Sequence, residues 1–198
     1  MKVKSGMLSD RVMEKDNRTK KTCRFGTESV EKMVEWALEH VPSSTNASIL
    51  EVGSGNGTLL FGLLDAGYDP VTLSGIDYSL GAVSLAKEIA NKRGGGAPSI
   101  SFSECDFLKD EPKVLDSTQG AGEPGVWDVL MDKGTYDAIA LGQKDENGKS
   151  PVEKYPGRVT RLLKPGGYFL ITCKRLFSRY QFPLIISYFQ HATSQRTS

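Results

Sequence analysis

An α/β fold, with a mostly parallel sheet covered by helices on both faces, is predicted by three features of the chain. Short apolar, β-branched runs alternate with segments of helical periodicity. The first run, Ile49-Leu-Glu-Val52, breaks into glycines at alternate positions, Gly53, Gly55 and Gly57. The second run ends on an acid, Asp77. A buried strand, a glycine turn, a helix and then an acid about 20 residues on is the arrangement by which an open α/β sheet holds a nucleoside.

The elements follow in order. Met1 to Arg24 is polar and is expected to be mobile, its charges solvated. A helix begins at Thr27, where Ser29, Val30, Met33, Val34, Trp36, Ala37 and Leu38 make an apolar face, and Pro42 ends it. Strand one is expected at 48–53, a helix at 57–66, strand two at 71–77, a helix at 80–92, strand three at 99–105, strand four at 126–132 and strand five at 167–173. Arg93 to Pro98 is glycine-rich and reads as a flexible connection. Lys109 to Gly125 reads as a polar surface loop.

Composition narrows the function. At 198 residues the chain suits one core. Its 25 basic and 24 acidic residues leave a net charge of +1, so no general attraction to nucleic acid or anionic membrane is expected. Cys23, Cys105 and Cys173 lie far apart, and with only His40 and His191 beside them no metal site is expected. The scattered cysteines suggest a reducing setting, no stretch reaches the ~18 apolar residues of a membrane span, and no signal peptide is visible.

The chemistry gathers at the ends of the strands. The glycine turn is one residue shorter than the G-x-G-x-x-G of a dinucleotide site, and no Tyr-x-x-x-Lys pair follows strand four, so an NAD-linked reductase is disfavoured. Asp77 can accept hydrogen bonds from both ribose hydroxyls. Strand three ends in Glu104-Cys-Asp106-Phe107, an acid for an exocyclic amine and a ring for a base; the same pair also suits a turn cap and a core aromatic. Strand four ends at Asp132 and Lys133, placed at the mouth of a pocket, although that polar end is equally the start of a helix at Thr135.

The form Glu51-x-Gly53-x-Gly55-x-Gly57 resembles motif I of the class I S-adenosylmethionine-dependent methyltransferases. Met131-Asp-Lys-Gly-Thr-Tyr-Asp-Ala138, Phe25-Gly-Thr-Glu-Ser-Val-Glu-Lys-Met-Val34 with Trp36, Leu50 to Gly57 and Gly75-Ile-Asp-Tyr-Ser79 resemble the lysine methyltransferases that modify translation elongation factor 1-alpha. The similarity runs from Phe25 to Cys173. It implies a Rossmann-like sandwich binding S-adenosyl-L-methionine. Glu51, Gly53, Ser54, Gly55, Asn56, Gly57, Asp77, Tyr78, Ser79, Asp106, Phe107 and Asp132 would bind the cofactor, with Gly53, Ser54, Gly55 and Gly57 at the methionine part, Asp77 with Tyr78 at the ribose, and Asp106 with Phe107 at the adenine. Asp132, Lys133 and Tyr136 would line the lysine channel as the catalytic group, with Lys133 alternatively pairing with a nearby acid. The implied protein is a monomeric, cytoplasmic protein-lysine N-methyltransferase. Methyl transfer to another protein or small molecule, or a non-catalytic cofactor-binding product, are the alternatives.

The chain then divides into a flexible segment, 1–24, a methyltransferase domain, 25–173, and an atypical tail, 174–198. Thr22-Cys-Arg24 stands where the family carries a Trp before its Phe-Gly, the family's upstream aromatic-rich stretch has no counterpart here, and the tail has room for one strand. A truncated or alternatively spliced form with an incomplete C-terminal hairpin is therefore expected. Phe182 to Phe189 is expected to form a substitute strand or a buried helix turn.

Overall fold

The computed structural model describes residues 17–115, 126–172 and 184–187. Six strands form one sheet: β1 (Ile49–Val52), β2 (Leu73–Asp77), β3 (Ser101–Glu104), β4 (Trp127–Lys133), β5 (Leu163–Thr172) and β6 (Leu184–Ser187), in the order β3-β2-β1-β4-β5-β6. The first five are parallel and β6 runs antiparallel to β5. Strand order reverses between β1 and β4, where Val52 pairs with Asp132 on one side and with Ile76 on the other. The glycine turn leaves β1 at that reversal, the place where the fold opens a crevice.

Alternation along the strands sorts the core into two layers. Ile49, Leu73, Val129, Met131 and Leu170 meet one layer of helices: α1 (Asn17–His40), α2 (Thr58–Asp65) and α3 (Leu80–Arg93). Leu50, Val52, Ile76, Leu130 and Ile171 face the other side, where α5 (Tyr155–Leu162) contributes Tyr155, Val159 and Leu162. The short α4 (Thr135–Ala140) starts directly after β4. Covering both faces explains why β1 and β2 are buried at every position.

Three expectations are corrected. The first helix begins at Asn17 rather than Thr27, inside the segment read as mobile, because nothing in 17–26 other than Gly26 opposes a helix. On its expected apolar face, Val30, Met33, Trp36 and Ala37 are buried but Leu38 is exposed, rotated off the contact stripe. Strand five begins at Leu163, not 167: Leu163 pairs with Trp127 and a register shift follows, so Pro165-Gly-Gly167 is carried as an irregularity within the strand. The substitute strand expected in 182–189 is observed as Leu184–Ser187, whereas 173–183 and 188–198, like 1–16 and the 116–125 part of the polar loop, lie outside the described residues.

Candidate active site

The glycine turn is shaped by neighbours that leave no room for side chains. Gly53 has φ 68°, and a Cβ there would fall on the side chain of Thr135, whose Oγ1 donates to the Val52 carbonyl at 2.9 Å. Gly57, with φ 81°, abuts Phe102 and Phe61. Gly55 differs: at φ 54° a Cβ would meet nothing within 4 Å. Two glycines therefore serve packing, and the middle one leaves the face of the turn bare.

Asp77 ties this turn to the second strand. Its Oδ2 accepts from the Gly55 N–H and its Oδ1 from the Ser79 N–H, both at 2.9 Å. Each carboxylate oxygen keeps a further lone pair for a hydroxyl. Ser79 caps α3 by accepting from the Ala82 N–H, while Tyr78 beside it is 81% exposed. Asn56 accepts from the Thr58 hydroxyl.

A cleft of about 430 Å³ opens over these residues. Gly53, Asp77 and Tyr78 line it together with the turn after β3, including Asp106 and Phe107, and with Thr135 and Ile139 of α4. Phe107 is both wall and core, since its ring also lies 4.7 Å from that of Tyr155. Asp106 serves its own turn: Oδ1 accepts from the Leu108 N–H, and an ion pair with Lys109 is the main cause that holds its carboxyl below the usual range. The reading of Asp106 and Phe107 as cap and core thus holds together with their place in the cleft wall.

Asp132 is not at the mouth of the cleft. It is fully buried, and its carboxylate accepts from the N–H of Thr135 at 2.6 Å, from the N–H of Tyr136 at 2.8 Å and from the hydroxyl of Tyr155. The alternation of β4 sends this side chain into the layer beneath α4 and α5, where it starts α4. Burial pushes its carboxyl up to about 6, against the opposing pull of the Tyr155 hydroxyl and the backbone donors. Lys133 and Tyr136 are half-buried and stand outside the cleft lining, Tyr136 packing edge-on against Tyr155.

Among the described residues, Glu51 is the acid whose carboxyl burial raises furthest. It is fully buried, both carboxylate oxygens lack a hydrogen-bond partner among the described residues, and the same is true of Ser54 Oγ. Burial pushes the Glu51 carboxyl up to about 8; Lys133 opposes this, and Asp132 and Asp77 add to it. A turn whose middle glycine is open thus stands beside the Asp77 carboxylate and an apolar wall. That set fits a ligand with a polar amino-acid end and a nucleoside end. Sequence reasoning missed Thr135 as the support of Gly53 although it stands in the Asp132-Lys-Gly-Thr string, and missed Pro151 and Lys154, which reach the cleft from a connection that has no motif.

Residues 43–196 match the family described as "Methyltransferase domain". The chain belongs to that family. This methyltransferase domain is 35% identical to a Schizosaccharomyces pombe protein named protein-lysine N-methyltransferase efm4, over 75% of this chain and 63% of that protein. It is 38% identical to Saccharomyces cerevisiae EFM4, over 76% and 62%, and 36% identical to Homo sapiens EEF1A lysine methyltransferase 2, over 75% and 56%. The chain therefore spans a little over half of the length of the curated relatives it matches. Among solved structures, the glycopeptide N-methyltransferase MtfA complexed with S-adenosylmethionine superposes with TM-score 0.54 at 15% identity, covering 81% of this chain and 67% of that one. YcgJ of Bacillus subtilis gives 0.52 at 18%, over 73% and 50%. The methyltransferase domain shares their Rossmann-like fold. No helix among the described residues is long and apolar enough to cross a membrane.

Proposed function

We propose that this methyltransferase domain is an S-adenosyl-L-methionine-dependent protein-lysine N-methyltransferase whose acceptor is a lysine of translation elongation factor 1-alpha. The observation that carries the reading is the joining of the glycine turn to Asp77 through the Gly55 N–H, beside a cleft whose far wall is the Asp106–Phe107 turn. The relatives' names, which specify protein-lysine and EEF1A lysine methylation, support the acceptor. An elongation-factor substrate places the reaction in the cytoplasm. We assign catalysis to 25–173, acting as a monomer.

Bound S-adenosylmethionine would supply an electrophilic methyl group on its sulfonium sulfur. In our reading Gly53, Ser54, Gly55, Asn56 and Gly57 hold the methionine part, with Glu51 as a buried, protonated acid beneath it. Asp77 takes the ribose hydroxyls with Tyr78 and Ser79 beside it, and Phe107 with Asp106 meets the adenine. Asp132 acts by starting α4, so that Thr135 and Ile139 stand at the acceptor side; Lys133 and Tyr136 flank that helix start outside the cleft lining and, in our reading, act on the acceptor only through it. A free lysine amine has a pKa near ~10.4, so the cleft must admit it neutral, and the apolar wall favours that form by withholding solvation. Alignment of amine and methyl then supplies most of the acceleration.

The test is calorimetric titration of the protein with S-adenosylmethionine beside a thermal melt, followed by incubation with elongation factor 1-alpha and mass spectrometry of its lysines. Saturable binding and a lysine mass gain of one or more methyl groups are expected. Binding without methylation of that factor would move the acceptor elsewhere, and absence of binding by the cooperatively folded protein would sink the cofactor reading.

A further inference from the structure

We propose that Arg158 is the positioning residue of the nucleoside wall: one guanidinium from α5 holds the turn after β3 in the shape that the base meets. The inference rests on the nucleoside reading above.

Five consecutive residues of that turn, Cys105 to Lys109, line the cleft. The turn is anchored to the sheet at its start, where the Cys105 N–H donates to the Asp77 carbonyl at 2.9 Å. Beyond that point its bonds are internal. The Lys109 and Asp110 N–H groups donate to the Asp106 carbonyl, and the Asp106 N–H donates to Asp110 Oδ2 at 2.8 Å. Such bonds set local shape without fixing where the turn sits against the body.

Arg158 supplies that fixing. Its Nε donates to the Phe107 carbonyl at 2.8 Å, one terminal nitrogen donates to Glu111 Oε1 at 2.8 Å, and the other donates to the Asp110 carbonyl. Its carbon centre also lies 5.8 Å from the centroid of the Phe107 ring. The side chain is only 11% exposed, against 62% for Glu111; the contact to the Phe107 carbonyl is part-buried, whereas those to Asp110 and Glu111 lie at the exposed rim. A planar fork can reach three acceptors along a chain that curls around it; a lysine ammonium of similar reach offers its donors from one point. Phe107 is thereby clamped twice, at its carbonyl by Arg158 and at its ring by Tyr155. Arg161 adds a second cation to Glu111 at the exposed end.

The experiment measures dissociation constants of S-adenosylhomocysteine and of adenosine for the wild-type protein, Arg158→Met and Arg158→Lys, with thermal melts of each. Both ligands are expected to weaken by a similar factor, roughly tenfold, in either variant, because the damage lies at the base and not at the amino-acid end. A purely structural arginine would lower the melting temperature while the folded fraction kept wild-type constants for both ligands, and that result would overturn the proposal. Wild-type affinity in Arg158→Lys would also overturn it, since a point charge would then suffice. If Arg158→Met does not fold, the lysine variant decides alone. Failure of the wild-type protein to bind S-adenosylhomocysteine would instead count against the cofactor reading.

Discussion

The hydroxyl of Thr135 donates to the carbonyl of Val52 from the position that a Cβ on Gly53 would need. The first residue of α4 is thus the floor of the glycine turn, and the helix that follows β4 is mechanically joined to the turn that follows β1.

Gly53→Ala should therefore be far worse for folding than Gly55→Ala. Both positions have positive φ, which costs an alanine about 1–2 kcal/mol, but only Gly53 adds a collision, worth about 1–3 kcal/mol more. Urea unfolding of the two variants checks this. Equal losses, or a larger loss at Gly55, would mean that Thr135 yields and does not support the turn.

Asp77→Asn and Asp77→Ala should both weaken S-adenosylmethionine binding at least about tenfold, since a charged hydrogen bond to ribose is worth ~1.5–3 kcal/mol. Alanine should also lower stability, because the Gly55 and Ser79 N–H groups lose their acceptor. Calorimetry with parallel melts separates the two effects; unchanged affinity would remove the ribose assignment.

Stability should fall as pH rises from about 5 to about 8.5. Glu51 is raised by burial to about 8 from 4.5, so across that window the folded state holds a proton that the unfolded state has released, and the slope of stability with pH is negative. Asp132, raised to about 6, has the same sign at the acid end of the window. Glu51→Gln should flatten the profile and be more stable than wild type at pH 8.5 by about 1–3 kcal/mol. Denaturant midpoints at pH 5.5 and 8.5 test it, and a wild-type midpoint that rises with pH would contradict the burial of Glu51 as a neutral acid.

Asp132→Ala should cost about 2–4 kcal/mol, since it strands the Tyr155 hydroxyl and two N–H groups of α4. Tyr155→Phe should cost about 1 kcal/mol, leaving the backbone donors in place. In both variants turnover is expected to fall more than cofactor affinity. If Asp132→Ala melts like wild type, the residue is not the cap of α4 and a direct role on the acceptor amine becomes the better account.

Much of the site was legible in the chain. Gly53, Gly55, Gly57 and Asp77 stand where the strands and turn were expected, because periodicity and glycine content act over a few residues. Asp132 was misplaced by a local argument: a strand-end acid looks like a mouth residue until its alternation is set against a second layer of helices. The early β5 start escaped for a related reason, since it is set by pairing of Leu163 with Trp127 rather than by punctuation in the sequence; the α1 start escaped because Thr27 resembles a helix start although only Gly26 interrupts the helical sequence before it.

The sequence by itself determined the order of strands β1 to β5 along the chain, the bare glycine turn and the acid beside it, all features encoded in neighbours along the chain. Tertiary structure alone decided that Thr135 fills the space under Gly53, that Tyr155 and Asp132 share a hydrogen bond and that Arg158 grips the turn carrying Phe107. Those contacts join residues 23 to 82 positions apart. Side chains so distant in sequence meet only because the sheet and its two helical layers bring them together, and no local propensity encodes the meeting.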